Sequence, residues 1–330
     1  MNDAPRNGRH ERESPSAGTF SDFPKPVLCH IGLPKAASTT LQYVLARDGR
    51  LAYFGPNEAG GVGLERALVD PLIFGDESTF RARSPAAARH IRESAAHRPA
   101  IVLSDEVLTW GQHAKRAQEW PLAEPIPPTR TATRLAEICP EATILVIFRG
   151  QIEWICSHFL QMKYINAMDE TFDRFLEQGV RPNHFYSFES VIDYVALHDA
   201  YVRAFGEARV KPVFFEEIIE DIPRFVANLY AWLGVDPPRH AADVPKLNTR
   251  TRVHPAVRAA AARVAPLARV KARAPGVFRA VKGMMPGQPR DIPLTPVQRQ
   301  MIVDRYAPSN QRLAARLGRP LPSNYPGSGS

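Results

Sequence analysis

Along the first two-thirds of the chain, near-continuous apolar runs alternate with stretches of helical spacing. The runs cover residues 27–31, 100–103, 143–148 and 210–215, each bounded by polar residues, Pro or Gly. Apolar runs of this kind predict strands buried on both faces, as in a parallel sheet, whereas a half-solvated strand alternates polar with apolar. Helical periodicity covers 39–46, 86–96, 131–138, 152–164 and 191–205, then 222–233 and 296–317. Strands separated by helices predict an α/β class fold, a doubly wound parallel sheet with helices on both faces. Every apolar run is far shorter than the ~20 residues needed to span a bilayer.

Composition bounds the organisation. With 330 residues and 44% hydrophobic content, the chain is long enough to bury a sizeable core. We expect one domain over residues 26–322, with a surface loop at the Pro-rich stretch 121–128. Residues 1–25 are rich in Arg, Glu, Ser, Pro and Asn and lack an apolar core, so they read as a disordered tail and not as a signal peptide. Residues 323–330 end in Gly-Ser-Gly-Ser and read as a flexible C-terminus. The three cysteines, Cys29, Cys139 and Cys156, have no metal-type spacing. A sparse, odd count without a signal points to a reducing compartment, and we expect a cytoplasmic protein without a metal site.

The net charge of +8 is concentrated between residues 246 and 290. That segment carries 11 basic residues and no Asp or Glu, leaving −3 for the remainder. Pro255, Pro266, Pro275 and Pro286 prevent it from being one long helix. Such a segment is either a solvated face or a surface for an anionic partner, whether nucleotide phosphate, acidic glycan, lipid headgroup or nucleic acid. Phe278 is its one aromatic residue, so base stacking and specific nucleic-acid binding have little support.

The first strand runs into Gly32-Leu33-Pro34-Lys35-Ala36-Ala37-Ser38-Thr39-Thr40 and then a helix. A strand, a tight loop and a helix N-terminus make an anion site, because first-turn N–H groups are unpaired and the helix dipole favours negative charge. The loop fits a phosphate carrying one further group better than it fits a triphosphate. Counted from Gly32, Ala37 and Ser38 occupy the places of the second glycine and the lysine of G-x-x-x-x-G-K-[ST]. Lys35 sits inside the loop, where it can lie over the bond leaving a 5′-phosphate. A second candidate phosphate grip is Arg149, at the end of the third run, followed by a helix with Ser157 eight positions later. An arginine offers bidentate, charge-assisted bonds to phosphate, and a helix hydroxyl completes the cage.

These two motifs resemble those of sulfotransferases that use 3′-phosphoadenosine 5′-phosphosulfate (PAPS). The resemblance covers about residues 25–321 and is specific at the two phosphate motifs, with the form of bacterial, carbohydrate-type members. It implies a P-loop-like sheet and sulfuryl transfer to a hydroxyl or amine, leaving PAP, the 3′,5′-bisphosphate product. It implies that Lys35 contacts the bridging oxygen, that Ala36, Ala37, Ser38, Thr39 and Thr40 surround the 5′-phosphate, and that Arg149 and Ser157 hold the 3′-phosphate. The chain departs from the family pattern at Ala36-Ala37, in place of a small residue and glycine, and at Gly150-Gln151, in place of Asn-Pro. Arg250 and Lys282 (with Gly283) are expected among the basic contacts to the nucleotide. Glu216 is expected to be structural.

Sulfuryl transfer also needs a base for the acceptor proton. Ligands of open α/β sheets bind at the carboxyl ends of strands, and Ser104-Asp105-Glu106 lies at such an end. Glu106 is the first choice, because related carbohydrate-type enzymes use a glutamate. Asp105 is the second, and His30, His113 and His158 remain further alternatives; the competing role for the acids is capping the next turn. The expected acceptor is a carbohydrate or glycolipid, and Val257, Val264, Leu267 and Val270 give the basic segment an amphipathic character suited to an anionic membrane surface. Two other function classes compete: a P-loop kinase or NTPase, against which the missing lysine stands, and a non-enzymatic polyanion binder using the basic segment.

Overall fold

The computed structural model of the chain describes residues 25–55, 64–109, 127–165, 170–179, 191–238 and 292–328. Arg250, Lys282, His113, the basic segment and the N-terminal tail lie outside them. Five parallel strands form one sheet: β1 (Val27–His30), β2 (Ala52–Phe54), β3 (Ile101–Ser104), β4 (Thr143–Phe148) and β5 (Val210–Phe214), in the order β2-β3-β1-β4-β5. β1 and β3 are buried throughout, and β4 is buried at every position after Thr143. Their unbroken apolar character therefore has its cause in coverage of both faces. β5 carries Pro212, which lacks an N–H, and it lies at the sheet edge where that donor is not needed on the outer side.

Helices cover the sheet: α1 (Ser38–Arg47), α2 (Leu64–Ile73), α3 (Glu77–Ser94), α4 (Pro128–Ile138), α5 (Gln151–Ile165), α6 (Phe172–Gly179), α7 (Tyr194–Phe205), α8 (Phe215–Glu220), α9 (Ile222–Leu233) and α10 (Pro296–Leu317). Their starts follow local chemistry. Asp76 accepts from Thr79 N at 2.7 Å, Asp221 from Arg224 N at 2.9 Å, and Thr295 forms a capping box with Gln298. Pro128 opens α4, where its missing N–H is harmless.

The expected parallel, doubly wound architecture is present, and four elements add to it. β2 has three residues, too few to show a period, and it extends the sheet beyond β3. α2, α6 and α8 also emerge; α6 and α8 are short, and α8 follows β5 without a loop. α3 starts nine residues before the predicted helix because it accommodates Pro85 internally. The chain end differs from the free tail expected: Tyr325 is 2% exposed and packs against Phe214 with ring centroids 5.3 Å apart.

β1 is central, with β3 on one side and β4 on the other. The loop after β1 therefore lies where the winding of the sheet reverses, the crevice in which open α/β sheets bind ligands. Away from this end, Arg134 on α4 ties α2 to α3. It is 5% exposed, donates Nη1 to Leu72 O at 3.1 Å and Gly75 O at 2.8 Å, and pairs Nη2 with Glu77 at 3.0 Å. Arg134→Ala takes this donor from Leu72 O, while Gly75 O keeps Arg130 and Glu77 keeps Arg81, and should lower unfolding free energy by ~2 kcal/mol, measured by chemical denaturation.

Candidate active site

The loop between β1 and α1 is held in an uncommon backbone conformation. Lys35 has φ 71° and Ala37 φ 64°, the two non-glycine residues with positive φ among the described residues. Left-handed geometry costs an L-residue roughly 1–2 kcal/mol, so two such residues within three positions need external support. Trp154 and Arg149 supply it. Trp154 Nε1 donates to Pro34 O at 2.8 Å, and Arg149 Nη1 donates to Lys35 O at 2.7 Å. The two phosphate motifs, 114 residues apart in sequence, thus meet through a direct hydrogen bond.

Within the loop, Ala36 is fully buried, and Ala37 is the N-cap of α1 without a side-chain cap. The methyl of Ala37 lines a narrow apolar gap shared with Leu41, Val44, Ile218, Ile222 and Phe225, which favours alanine over glycine despite the backbone cost. Thr40 N and Leu41 N bond to Ala37 O, so the N–H groups at the very start of α1 are left at the loop, as at any helix N-terminus. Of the three hydroxyls, Ser38 is buried and donates to Leu33 O at 3.1 Å, Thr39 is exposed and Thr40 half-buried. A Cβ at Gly32 would lie 2.2 Å from His30 Nε2, so a larger residue there has to displace that buried ring.

Glu106 opens the single 3₁₀ turn after β3 (Glu106–Leu108). Its carboxyl is hydrogen-bonded to Ser38 and feels the charges of Asp105 and Lys35. Burial raises its pKa from 4.5 to about 7, outweighing the lowering by Ser38 and Lys35. Asp105 is buried beside it, its N–H donating to His30 O at 3.2 Å and its carbonyl accepting from Leu108 N. The turn is therefore closed by backbone, which leaves the Glu106 side chain for the loop. His30 and His158 are both buried and their pKa values fall to about 3, so each stays neutral and is a weak base at neutral pH. His30 Nδ1 lies 2.8 Å from Ser104 Oγ, which also accepts from Gln42 at 3.3 Å. His158 stacks on Trp154, with centroids 4.8 Å apart, and senses the Lys35 charge.

Arg149 leaves the end of β4 with its guanidinium 4.7 Å from the Phe215 ring. Burial lowers its pKa, while Glu216 and Glu153 oppose the fall. Its Nε is buried without a hydrogen-bond partner. A half-buried guanidinium with an unused donor is able to take an anion. Ser157 is buried on α5, one residue from His158 and eight from Arg149. Sequence reasoning did not single out Trp154 as a support of the loop; its only signal was its place between Arg149 and Ser157.

The strain at Ala37 gives a direct stability expectation. Ala37→Val puts a β-branched residue at positive φ and should cost ~2 kcal/mol, whereas Ala37→Gly should change stability by less than ~1 kcal/mol. Thermal melts of the two variants, with circular dichroism to confirm the fold, check the ordering.

Comparison with known proteins bears on the family and the fold. The profile of the sulfotransferase family matches residues 26–239. Among solved structures, a sulfotransferase from Alicyclobacillus acidocaldarius is similar at 17% identity and a TM-score of 0.57, covering 90% of this chain and 97% of that one. The sulfotransferase domain of the curacin biosynthetic pathway is similar at 13% identity with a TM-score of 0.41, covering 90% and 99%. A mouse sulfotransferase complexed with PAP is similar at 14% identity with a TM-score of 0.35, covering 66% and 62%. No curated protein matches the sequence. The family match spans more than half of the chain and includes both phosphate motifs, so the chain belongs to the sulfotransferase family, enzymes that draw on PAPS and leave PAP.

Proposed function

We propose that this protein transfers the sulfuryl group of PAPS to a hydroxyl of a carbohydrate or glycolipid, with an amine as the less favoured acceptor. The observation that carries the reading is the convergence of Lys35, Glu106 and Arg149 on one strained loop at the carboxyl end of the sheet. PAPS supplies an activated sulfuryl group on a 5′-phosphate leaving group. Thr39, Thr40 and the first-turn N–H groups of α1 receive that 5′-phosphate, while Ala36 and Ala37 shape the backbone around it. Ser38 contributes through Leu33 O and Glu106. Arg149, helped by Ser157, takes the 3′-phosphate with the guanidinium edge that Lys35 O leaves unused. Arg250 and Lys282 are further proposed nucleotide contacts from the basic segment.

Each side chain then has a defined task. Lys35 places positive charge where negative charge develops on the leaving oxygen, an interaction worth most where water is excluded. Glu106 accepts the acceptor's proton as its oxygen bonds to sulfur and the S–O bond to the 5′-phosphate breaks. A carboxyl with a pKa near 7 is a stronger base than an ordinary glutamate and is still largely ionised at mildly alkaline pH. Asp105 is the alternative base. The basic segment suits an acidic glycan or the headgroup of a lipid-linked acceptor. No described helix is long and apolar enough to cross a membrane. The free thiols of Cys29, Cys139 and Cys156 support placement in the reducing cytoplasm.

The test is transfer from sulfur-labelled PAPS to a panel of glycans and glycolipids, with Glu106→Gln as the comparison. Labelled product is expected with wild type, and at least ~100-fold less with Glu106→Gln, within the usual contribution of a general base. No product across hydroxyl and amine acceptors, or an unimpaired Glu106→Gln, contradicts the assignment. The pH profile gives a second check: kcat/KM should rise as Glu106 ionises, with a midpoint near its pKa of about 7, and then level off. The same group predicts a stability effect of definite sign. Because its folded pKa is raised, its contribution to stability is present below about pH 4.5 and lost as pH rises through about 7. Glu106→Gln should therefore raise Tm more at pH 8 than at pH 5.

A further inference from the structure

The family profile ends at residue 239, yet the turn that carries Arg149 is held by residues far beyond it. Gly150 N donates to Glu216 Oε1 at 3.2 Å. The same carboxylate accepts from Asn324 Nδ2 at 2.9 Å and from the Tyr325 hydroxyl at 3.2 Å. One residue on, the fully buried Gln151 exchanges two amide bonds with Asn310 on α10, at 2.7 and 3.0 Å, and Asn310 also donates to Pro326 O at 3.0 Å. The Arg149 carbonyl accepts from Tyr194 at 2.5 Å, and the Tyr194 ring lies 6.2 Å from that of Tyr325. Gly150 permits this packing, since a Cβ there would come within 2.5 Å of Asn324 Nδ2.

Every polar group of the Arg149–Gln151 turn that the chain end reaches is thus committed, while the Arg149 Nε is not. A turn fixed by these bonds limits where the Arg149 side chain can go, with Nη1 held on Lys35 O and Nε left without a partner. Precise aim of an arginine fork matters because bidentate bonding to phosphate is geometrically demanding.

We propose that the chain end from Asn310 to Pro326 is a clasp that positions Arg149, and that it sets the preference for an adenine nucleotide bearing a 3′-phosphate over one without it. In this proposal Glu216, Asn324, Gln151 and Asn310 are positioning residues that act through the Arg149 turn. The proposal rests on the assignment of Arg149 to the 3′-phosphate made above.

Asn324 is half-exposed, so its substitution leaves the core intact. Asn324→Asp sets a carboxylate against Glu216 Oε1, which also accepts from Gly150 N, and Asn324→Ala removes the same bond without adding charge. Calorimetry of full-length protein with PAP and with adenosine 5′-phosphate reads the effect as a ratio of dissociation constants. We expect Asn324→Asp to weaken PAP about tenfold with little change for adenosine 5′-phosphate, and the uncharged Asn324→Ala to weaken PAP selectively as well, by a smaller factor. Equal weakening of both nucleotides, or no weakening, overturns the clasp while leaving the nucleotide assignment standing. A wild type that binds PAP no better than adenosine 5′-phosphate overturns the assignment itself, and the clasp with it.

Discussion

The hydrogen bond from Arg149 to the carbonyl of Lys35 is the interaction on which the site depends. It can form only because Lys35 adopts a left-handed conformation that turns its carbonyl toward β4, and that conformation persists only because Arg149 and Trp154 hold the loop from outside. Backbone strain at a binding loop is sustained when its surroundings over-determine it. Here the surroundings are a fully buried indole, a half-buried guanidinium and a sheet crossing point. Placing the two phosphate motifs in contact also makes them interdependent, since a shift of β4 or α5 would move the loop after β1.

The electrostatics of the site follow from the same packing. Lys35, Arg149 and the start of α1 make a positive locus, which we assign to the bisphosphate nucleotide, whereas Glu106 beside them is kept partly protonated by burial. Two histidines close to the loop, which their residue type makes candidate bases, are so deeply buried that they serve as neutral packing groups. Burial thus assigns roles to residues that sequence alone leaves equivalent: it strengthens a carboxylate as base and weakens imidazole.

Much of this was legible in the sequence because the informative signals are local. Four strands show as apolar runs; the loop 32–40 and the pair Arg149 and Ser157 show as motifs; the strand end offers Asp105 and Glu106 alike, and the family resemblance puts Glu106 first. What was not legible depends on long-range contact. β2 is too short to have a period, and its neighbour β3 creates it. Gln151 looks like a simple replacement within the second motif, but its partner Asn310 lies 159 residues away. The C-terminal residues read as a flexible tail because Gly and Ser dominate their composition, while their packing comes from Asn324 and Tyr325 meeting Glu216. Glu216, expected as structural, is the acceptor that joins these parts.

The most direct measurement is calorimetric binding of PAP, without magnesium, to wild type and to Arg149→Ala. The account predicts binding by wild type and at least about tenfold weaker binding by the variant, roughly 1.4 kcal/mol. Equal affinity in the two proteins, or tighter binding of magnesium–ATP than of PAP by wild type, would contradict it.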